Sequence, residues 1–114
     1  MRFGVFTSMG NQTWTAVLDL WRNLEATGWD MACVTDHFMP NTRDREGPVM
    51  EAWSTLSALA ALVPRMRVGT IVLGNTYRHP AVVAKMAAQV DIISGGRLLL
   101  GMGAGWQENE HEAY

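Results

Sequence analysis

Cysteine, clustered basic residues and long apolar runs are scarce in this sequence, and each scarcity excludes a class of protein. The 114 residues include one cysteine, Cys33, so no disulfide can form within the chain, and a small buried thiol in a reducing compartment is expected. The formal charge is -2, and no stretch gathers enough Lys or Arg to follow a phosphate backbone. No apolar run approaches the roughly 20 residues of a membrane helix. We therefore expect a cytoplasmic protein that binds neither nucleic acid nor membrane.

The composition is otherwise that of a globular protein. Hydrophobic residues make up 48% of the chain and charged residues 18%, which is ordinary for a folded domain. A segment of this length forms at most one domain, and we predict a single, partial domain over residues 1–114. No metal site is predicted.

Short apolar runs alternate with stretches in which apolar residues recur at helical spacing. The predicted strands are Arg2–Phe6, Met31–Thr35, Met66–Leu73 and Arg97–Gly101. The predicted helices lie between them, and their apolar stripes are Trp14, Val17, Leu18, Trp21 and Leu24; Ala52, Leu56, Leu59, Ala60 and Val63; and Val82, Val83, Met86, Ala87 and Val90. A polar loop from Asn41 to Gly47 precedes the second helix. This regular alternation predicts a parallel sheet of the α/β class.

Both an open doubly wound sheet and a barrel produce this pattern over four strands, and the glycines distinguish them. A dinucleotide fold places G-x-G-x-x-G at the first turn, but residues 7–12 read TSMGNQ. The later run of residues 101–106 has Trp106 where the third glycine belongs. These two departures favour a barrel.

Polar residues and glycines follow the predicted strands, where the chemistry of a barrel is located. Asp36 and His37 follow the second strand, and such a pair either holds its loop or takes part in catalysis. Gly103 and Gly105 allow a flat ligand to approach the backbone, or they make a tight turn. Arg78 contacts an anionic group or anchors its loop through hydrogen bonds. Spacing alone does not choose between these alternatives.

Four stretches of the chain resemble one family, the luciferase-like flavin-dependent oxidoreductases, and within it the branch that uses the deazaflavin coenzyme F420. The stretches are Val34–Phe38, Glu51–Trp53, Gly69–Pro80, and Ile93–Arg97 continuing through Gly101–Trp106. The resemblance implies a (β/α)8 TIM barrel of roughly 300 residues, of which this chain supplies about three and a half β-α units without closing the barrel. Loops that grip the phosphate tail of the coenzyme are expected later in the fold. The complete protein is expected to be a homo-oligomer acting on a small-molecule substrate.

The resemblance also implies roles for individual residues. His37 corresponds to the histidine that faces the deazaflavin and acts as acid, base or charge stabiliser, and Asp36 would orient its loop and bond polar groups near the ring. A non-proline cis peptide is expected at Ile71–Val72, behind the ring. The remaining expected cofactor contacts are Gly103, Gly105 and Asn109.

Two positions depart from relatives that oxidise sugars or alcohols. Such relatives have a glutamate where this chain has Trp106, and an aromatic residue where it has Asn41. We therefore expect a different substrate, with hydride transfer between F420 and a small organic molecule as the function. One alternative is a monooxygenase of the same superfamily that uses reduced FMN and oxygen. Another is an inactive fragment or a self-associating binding module, whose open strand edges pair with a partner or a second copy.

Overall fold

Strands and helices alternate through the whole chain. The computed structural model describes residues 1–41 and 46–114, so residues 42–45 of the predicted polar loop lie outside the described part. The elements in chain order are β1 (Gly4–Thr7), α1 (Trp14–Ala26), β2 (Met31–Val34), α2 (Ala52–Leu62), β3 (Arg67–Gly74), α3 (Pro80–Ser94), β4 (Leu98–Gly103) and α4 (Glu108–Ala113). Among these described elements, no helix is both long enough and apolar enough to cross a membrane.

The four strands form one parallel sheet in the order β1-β2-β3-β4. Their register aligns Phe6, Cys33, Gly69 and Leu99 across the sheet. Each crossover helix returns the chain to the same end of the sheet, so the predicted parallel α/β arrangement is confirmed. The same sequence order also brings the loops that follow the strands to one edge.

The core lies between the sheet and the helices α1 to α3. Trp21 of α1 is fully buried, and its indole Nε1 donates a hydrogen bond to Thr7 Oγ1 of β1 at 3.0 Å. Leu56 and Leu59 of α2 are buried against the sheet residue Val68. An indole of this size can be buried only when its polar N–H has a partner, and Thr7 supplies that partner.

The single cysteine has the environment predicted for it. Cys33 is buried in the middle of β2 and forms no disulfide. Burial raises the pKa of its thiol above the ordinary value. A raised pKa disfavours the thiolate, so Cys33 behaves as a small apolar side chain.

Several predicted details differ from the structure. Trp14 and Val82 were predicted in buried stripes but are 38% and 50% exposed. Val82 is next to Val83, which belongs to the buried stripe of α3. Trp14 is the first residue of α1, and the described residues leave part of its side chain exposed there. The strand β4 extends two residues further than predicted. Helix α4 was not predicted, because five polar residues followed by Ala113 show no apolar periodicity.

One half-buried arginine joins the ends of three elements. The guanidinium of Arg97, just before β4, donates hydrogen bonds to the carbonyl oxygens of Ala60 at 2.7 Å, Val63 at 2.8 Å and Met66 at 2.5 Å. Its Nε donates to the carbonyl oxygen of Ser94 at 2.6 Å. The carbonyls of Ala60, Val63 and Ser94 lie at the C-terminal ends of α2 and α3, where helix carbonyls lack a partner within the helix, so Arg97 supplies the donors that these groups need.

Replacing Arg97 with methionine is expected to destabilise the protein by about 2–3 kcal/mol, because methionine fills the space but leaves these carbonyls without a donor. Urea unfolding of a complete barrel that includes this sequence measures the effect. The exposed Arg22 provides the matched control, and Arg22→Met should change the stability by less than about 0.5 kcal/mol. Equal effects of the two substitutions would contradict the role given to Arg97.

Candidate active site

A cleft of about 230 Å³ opens where the strands β2 to β4 end. The loops after parallel strands meet at this edge, which is where barrels place their binding sites. The cleft is lined by Thr35, Asp36, His37, Asn41, Ile71, Val72, Gly74, Tyr77, Gly105 and Trp106. The end of β3 and the loops after β2, β3 and β4 therefore contribute to one concave surface.

Most of the residues predicted for the site come together here. The polar pair after β2, the Ile71–Val72 segment and Gly105 all line the cleft. Gly103 ends β4 beside it, and a Cβ at that position would collide with Cγ2 of Val72. Asn109 lies on α4 instead, where its Nδ2 contacts the Met39 sulfur at 3.2 Å beside a neighbouring hollow. The cofactor contacts assigned to these residues stay predictions.

The wall of the cleft formed by β3 is irregular and apolar. The peptide bond between Ile71 and Val72 is cis, as the family resemblance predicted. The pairing of β3 with β4 changes register between Thr70 and Leu73 at the same place. Ile71 and Val72 are 53% and 43% exposed, so two β-branched side chains present apolar surface toward the cleft.

Asp36 forms the buried ionic centre behind the cleft. Its carboxylate accepts hydrogen bonds from the Gly74 amide at 3.0 Å and from both terminal nitrogens of Arg78, at 2.6 and 3.0 Å. Arg78 also donates to Glu51 and stacks its guanidinium over the Phe38 ring at 5.2 Å. Burial lowers the pKa of Arg78, but Asp36 and Glu51 outweigh that effect and raise it. The sequence left two roles open for Arg78, and the structure shows that it anchors its loop through hydrogen bonds.

His37 lies in front of this centre with one ring nitrogen engaged. Its Nδ1 is 2.8 Å from Oε2 of Glu110, and its ring meets Trp106 edge to face at a centroid distance of 5.7 Å. The His37 side chain is 16% exposed. No hydrogen bond among residues 1–41 and 46–114 involves Nε2, so this nitrogen is the one open to a ligand in the cleft.

Glu110 is the site residue that sequence reasoning missed. It is 1% exposed on α4, and its Oε1 accepts hydrogen bonds from the backbone amides of Phe38 at 2.6 Å and Met39 at 2.9 Å. Its Oε2 accepts one from Tyr77 Oη at 2.5 Å, besides the contact with His37. The only sequence signal was its position shortly after β4, in a segment that otherwise resembles a solvated surface.

The ionisation of Glu110 follows from these bonds. Burial raises the pKa of the carboxyl, but the hydrogen bonds from Tyr77, Met39, His37 and Phe38 outweigh burial and lower the pKa below its ordinary value. The carboxylate therefore stabilises the fold above its unfolded-state pKa, and that contribution is lost as the pH falls through the lowered folded-state pKa. Tyr77 stays protonated, because burial and Glu110 raise its pKa.

This arrangement suits proton transfer at an apolar wall. A histidine changes its charge near physiological pH, and Nε2 of His37 can accept or donate a proton at the cleft. Within the described ranges, no group of three or more His, Cys, Asp or Glu side chains could hold a metal ion. The site thus offers the imidazole of His37 for proton transfer beside two aliphatic side chains.

Comparison with known proteins identifies the family. The family described as luciferase-like monooxygenase matches residues 1–114, and the chain belongs to this family. An F420-dependent glucose-6-phosphate dehydrogenase from Microbacterium testaceum (strain StLB037) is 35% identical over 111 residues, which cover 96% of this chain and 33% of that protein. Together with a similar relative from Amycolatopsis mediterranei (strain U-32), it shows that the chain spans about a quarter to a third of the length of these curated relatives.

Two solved structures share the fold. An F420-dependent secondary alcohol dehydrogenase in complex with an F420-acetone adduct has 26% identity and a TM-score of 0.83, covering 91% of this chain and 32% of the other. The coenzyme F420-dependent tetrahydromethanopterin reductase from Methanopyrus kandleri has 25% identity and a TM-score of 0.81, covering 98% and 29%. The predicted fold class, the N-terminal part of a (β/α)8 barrel, is confirmed.

Proposed function

We propose that a complete barrel with this sequence transfers a hydride between coenzyme F420 and a small organic substrate, and that His37 handles the coupled proton. The observation that best supports this proposal is Nε2 of His37, which has no hydrogen-bond partner among residues 1–41 and 46–114, beside the apolar wall of Ile71 and Val72. The similar proteins named above are F420-dependent enzymes, which supports the same coenzyme here. When bound, F420 accepts or gives the hydride at carbon 5 of its ring.

The residues of the cleft fit a flat ring system. Ile71 and Val72 offer an apolar surface for one face of the ring, and Gly105 leaves backbone without a side chain at its edge. Gly103 lies beside the cleft and lets the backbone of β4 approach Val72 closely. Gly105 has a φ of +83°, and a Cβ there would lie 2.9 Å from Cε1 of His111. We propose that these four residues hold the ring, with further polar contacts from Asp36 and Asn109.

His37 would then act on the substrate and not on the coenzyme. In the oxidising direction its Nε2 accepts the proton that the substrate releases as the hydride leaves, and in the reducing direction it returns that proton. The indole of Trp106 forms one side of this space and has no acidic proton to contribute. Since relatives that oxidise sugars or alcohols have a glutamate there, we propose a substrate other than glucose 6-phosphate.

The same apolar wall would also accept the ring of FMN, and the family includes monooxygenases by name. Separate titrations of F420 and FMN into a complete barrel, followed by ring absorbance or fluorescence, distinguish the two. We expect F420 to bind at least about tenfold more tightly, a difference of about 1.4 kcal/mol. Tighter FMN binding with oxygen consumption by the reduced flavin would replace the proposal with the monooxygenase, and binding of neither would overturn both.

A pair of glycines tests whether the cleft holds the ring. Gly105 and Gly28 have similar φ values of +83° and +88°, so alanine is strained at both, but only Gly105 lines the cleft. Gly105→Ala should weaken F420 binding by at least about tenfold, or about 1.4 kcal/mol, while Gly28→Ala leaves the affinity unchanged. Similar losses in both variants would show that backbone strain, and not the cleft, is responsible.

A further inference from the structure

We infer that Glu110 is a positioning residue that determines which ring nitrogen of His37 holds the proton in the neutral form: Nδ1 is protonated on the carboxylate, and Nε2 is left free to accept a proton in the cleft. The importance of this tautomer for turnover rests on the proposed function. The tautomer itself does not, because it follows from contacts within the described residues.

The contacts of the carboxylate leave one arrangement of protons. Oε1 of Glu110 accepts from the amides of Phe38 and Met39, and Oε2 faces both Tyr77 Oη and His37 Nδ1. An ionised carboxylate has no proton to donate, and the lowered pKa of Glu110 keeps it ionised. His37 must therefore donate through Nδ1, and a neutral imidazole that donates at one nitrogen accepts at the other.

Of the described groups around His37, Glu110 is the one that determines which ring nitrogen is protonated. Tyr77 supplies no charge, because its raised pKa keeps the phenol protonated. The carboxylate of Asp36, the residue before His37, accepts hydrogen bonds from both terminal nitrogens of Arg78 and is therefore directed at Arg78. His111 also lies on α4, with its ring near the backbone of Gly105. Among residues 1–41 and 46–114, Glu110 is the anion within hydrogen-bond distance of the His37 ring.

Replacing Glu110 with glutamine should reverse the tautomer. The amide oxygen must take the place of Oε1, because the two backbone N–H groups of Phe38 and Met39 need an acceptor. The NH2 group then takes the place of Oε2 and donates to Nδ1 of His37, while the phenol of Tyr77 can accept from it. The proton of neutral His37 moves to Nε2, so the nitrogen that faces the cleft changes from acceptor to donor.

Nitrogen-15 NMR of the imidazole rings measures the tautomer of His37 in the complete protein without coenzyme. The His37 signals are assigned by their absence from the spectrum of the variant His37→Asn. His79 is an internal reference for the opposite tautomer, because its Nδ1 accepts from the Ala81 amide at 3.2 Å. We expect neutral His37 to be protonated at Nδ1 in the wild type and at Nε2 in Glu110→Gln.

Tyr77→Phe is the matched control, because it removes a hydrogen bond to the same carboxylate oxygen while the charge and the His37 contact stay. It should keep the Nδ1-protonated form. The inference is overturned if the wild type has its proton on Nε2, if Glu110→Gln keeps the wild-type tautomer, or if Tyr77→Phe reverses it equally. The wild-type spectrum tests the inference by itself, even if a variant does not fold, because it shows which nitrogen of neutral His37 holds the proton. Because no coenzyme is present, failure of F420 binding would contradict the proposed function and leave this result standing.

Discussion

Replacing His37 with asparagine is expected to lower the turnover number of the complete enzyme with F420 by about 10²- to 10⁴-fold, the usual contribution of a positioned acid or base. The Asn amide nitrogen lies close to the place of Nδ1, so it can still donate to Glu110 and keep the loop after β2 in position. What the substitution removes is Nε2, the nitrogen that faces the cleft. Affinity for F420 should change by less than about threefold, or about 0.7 kcal/mol.

Steady-state kinetics and a coenzyme titration on the same preparation separate the two effects. His79→Asn is the matched control, because His79 is an exposed residue that caps α3, and asparagine is a good N-cap. This control should keep the wild-type turnover. A turnover number for His37→Asn close to the wild-type value would show that another group transfers the proton.

Replacing Arg78 with methionine is expected to lower the free energy of unfolding by about 3–5 kcal/mol, the cost of leaving a buried charge without its partner. Methionine has a similar length and packs against Phe38, but it donates no hydrogen bond to the fully buried Asp36 side chain. The Gly74 amide alone would then face the carboxylate. Urea unfolding of a complete barrel measures the change, with Arg22→Met as the exposed control.

The double variant Asp36→Asn with Arg78→Met separates the ion pair from packing. Asparagine removes the buried charge and still accepts from the Gly74 amide, so the double variant should recover a large part of the loss. A double variant as unstable as Arg78→Met alone would mean that the guanidinium acts mainly by filling space. Recovery would show that the pair Asp36–Arg78 is held by its charges.

Local signals predicted the elements of this fold correctly in most cases. Pro80 begins α3, as expected of a residue with a preset φ and no N–H, and Gly95 ends it in the left-handed conformation. The buried strand at Met31–Val34 was predicted to within one residue, because a parallel strand covered on both faces shows a continuous apolar run. Helix α4 was missed, because no apolar stripe distinguishes its five polar residues and Ala113 from a surface loop.

The site was predicted less completely than the fold. The strand-end position of Asp36 and His37 made them candidates, and the family resemblance located the cis peptide at Ile71–Val72. The contacts of Asp36 with Arg78 and of His37 with Glu110 could not be predicted, since all four residues occur in polar segments without periodicity. From their positions in the sequence alone, other contacts among these four residues would be equally plausible.

The sequence by itself determined that this chain forms a parallel α/β sheet and which polar residues lie at the strand ends, because the period of apolar residues decides between helix and strand locally. Only the tertiary structure decided that Glu110 meets His37, 73 residues earlier in the chain, and bonds the amides of Phe38 and Met39. Such a contact depends on strand register and on how α4 packs over the strand ends. Those are properties of the assembled sheet, and no single segment encodes them.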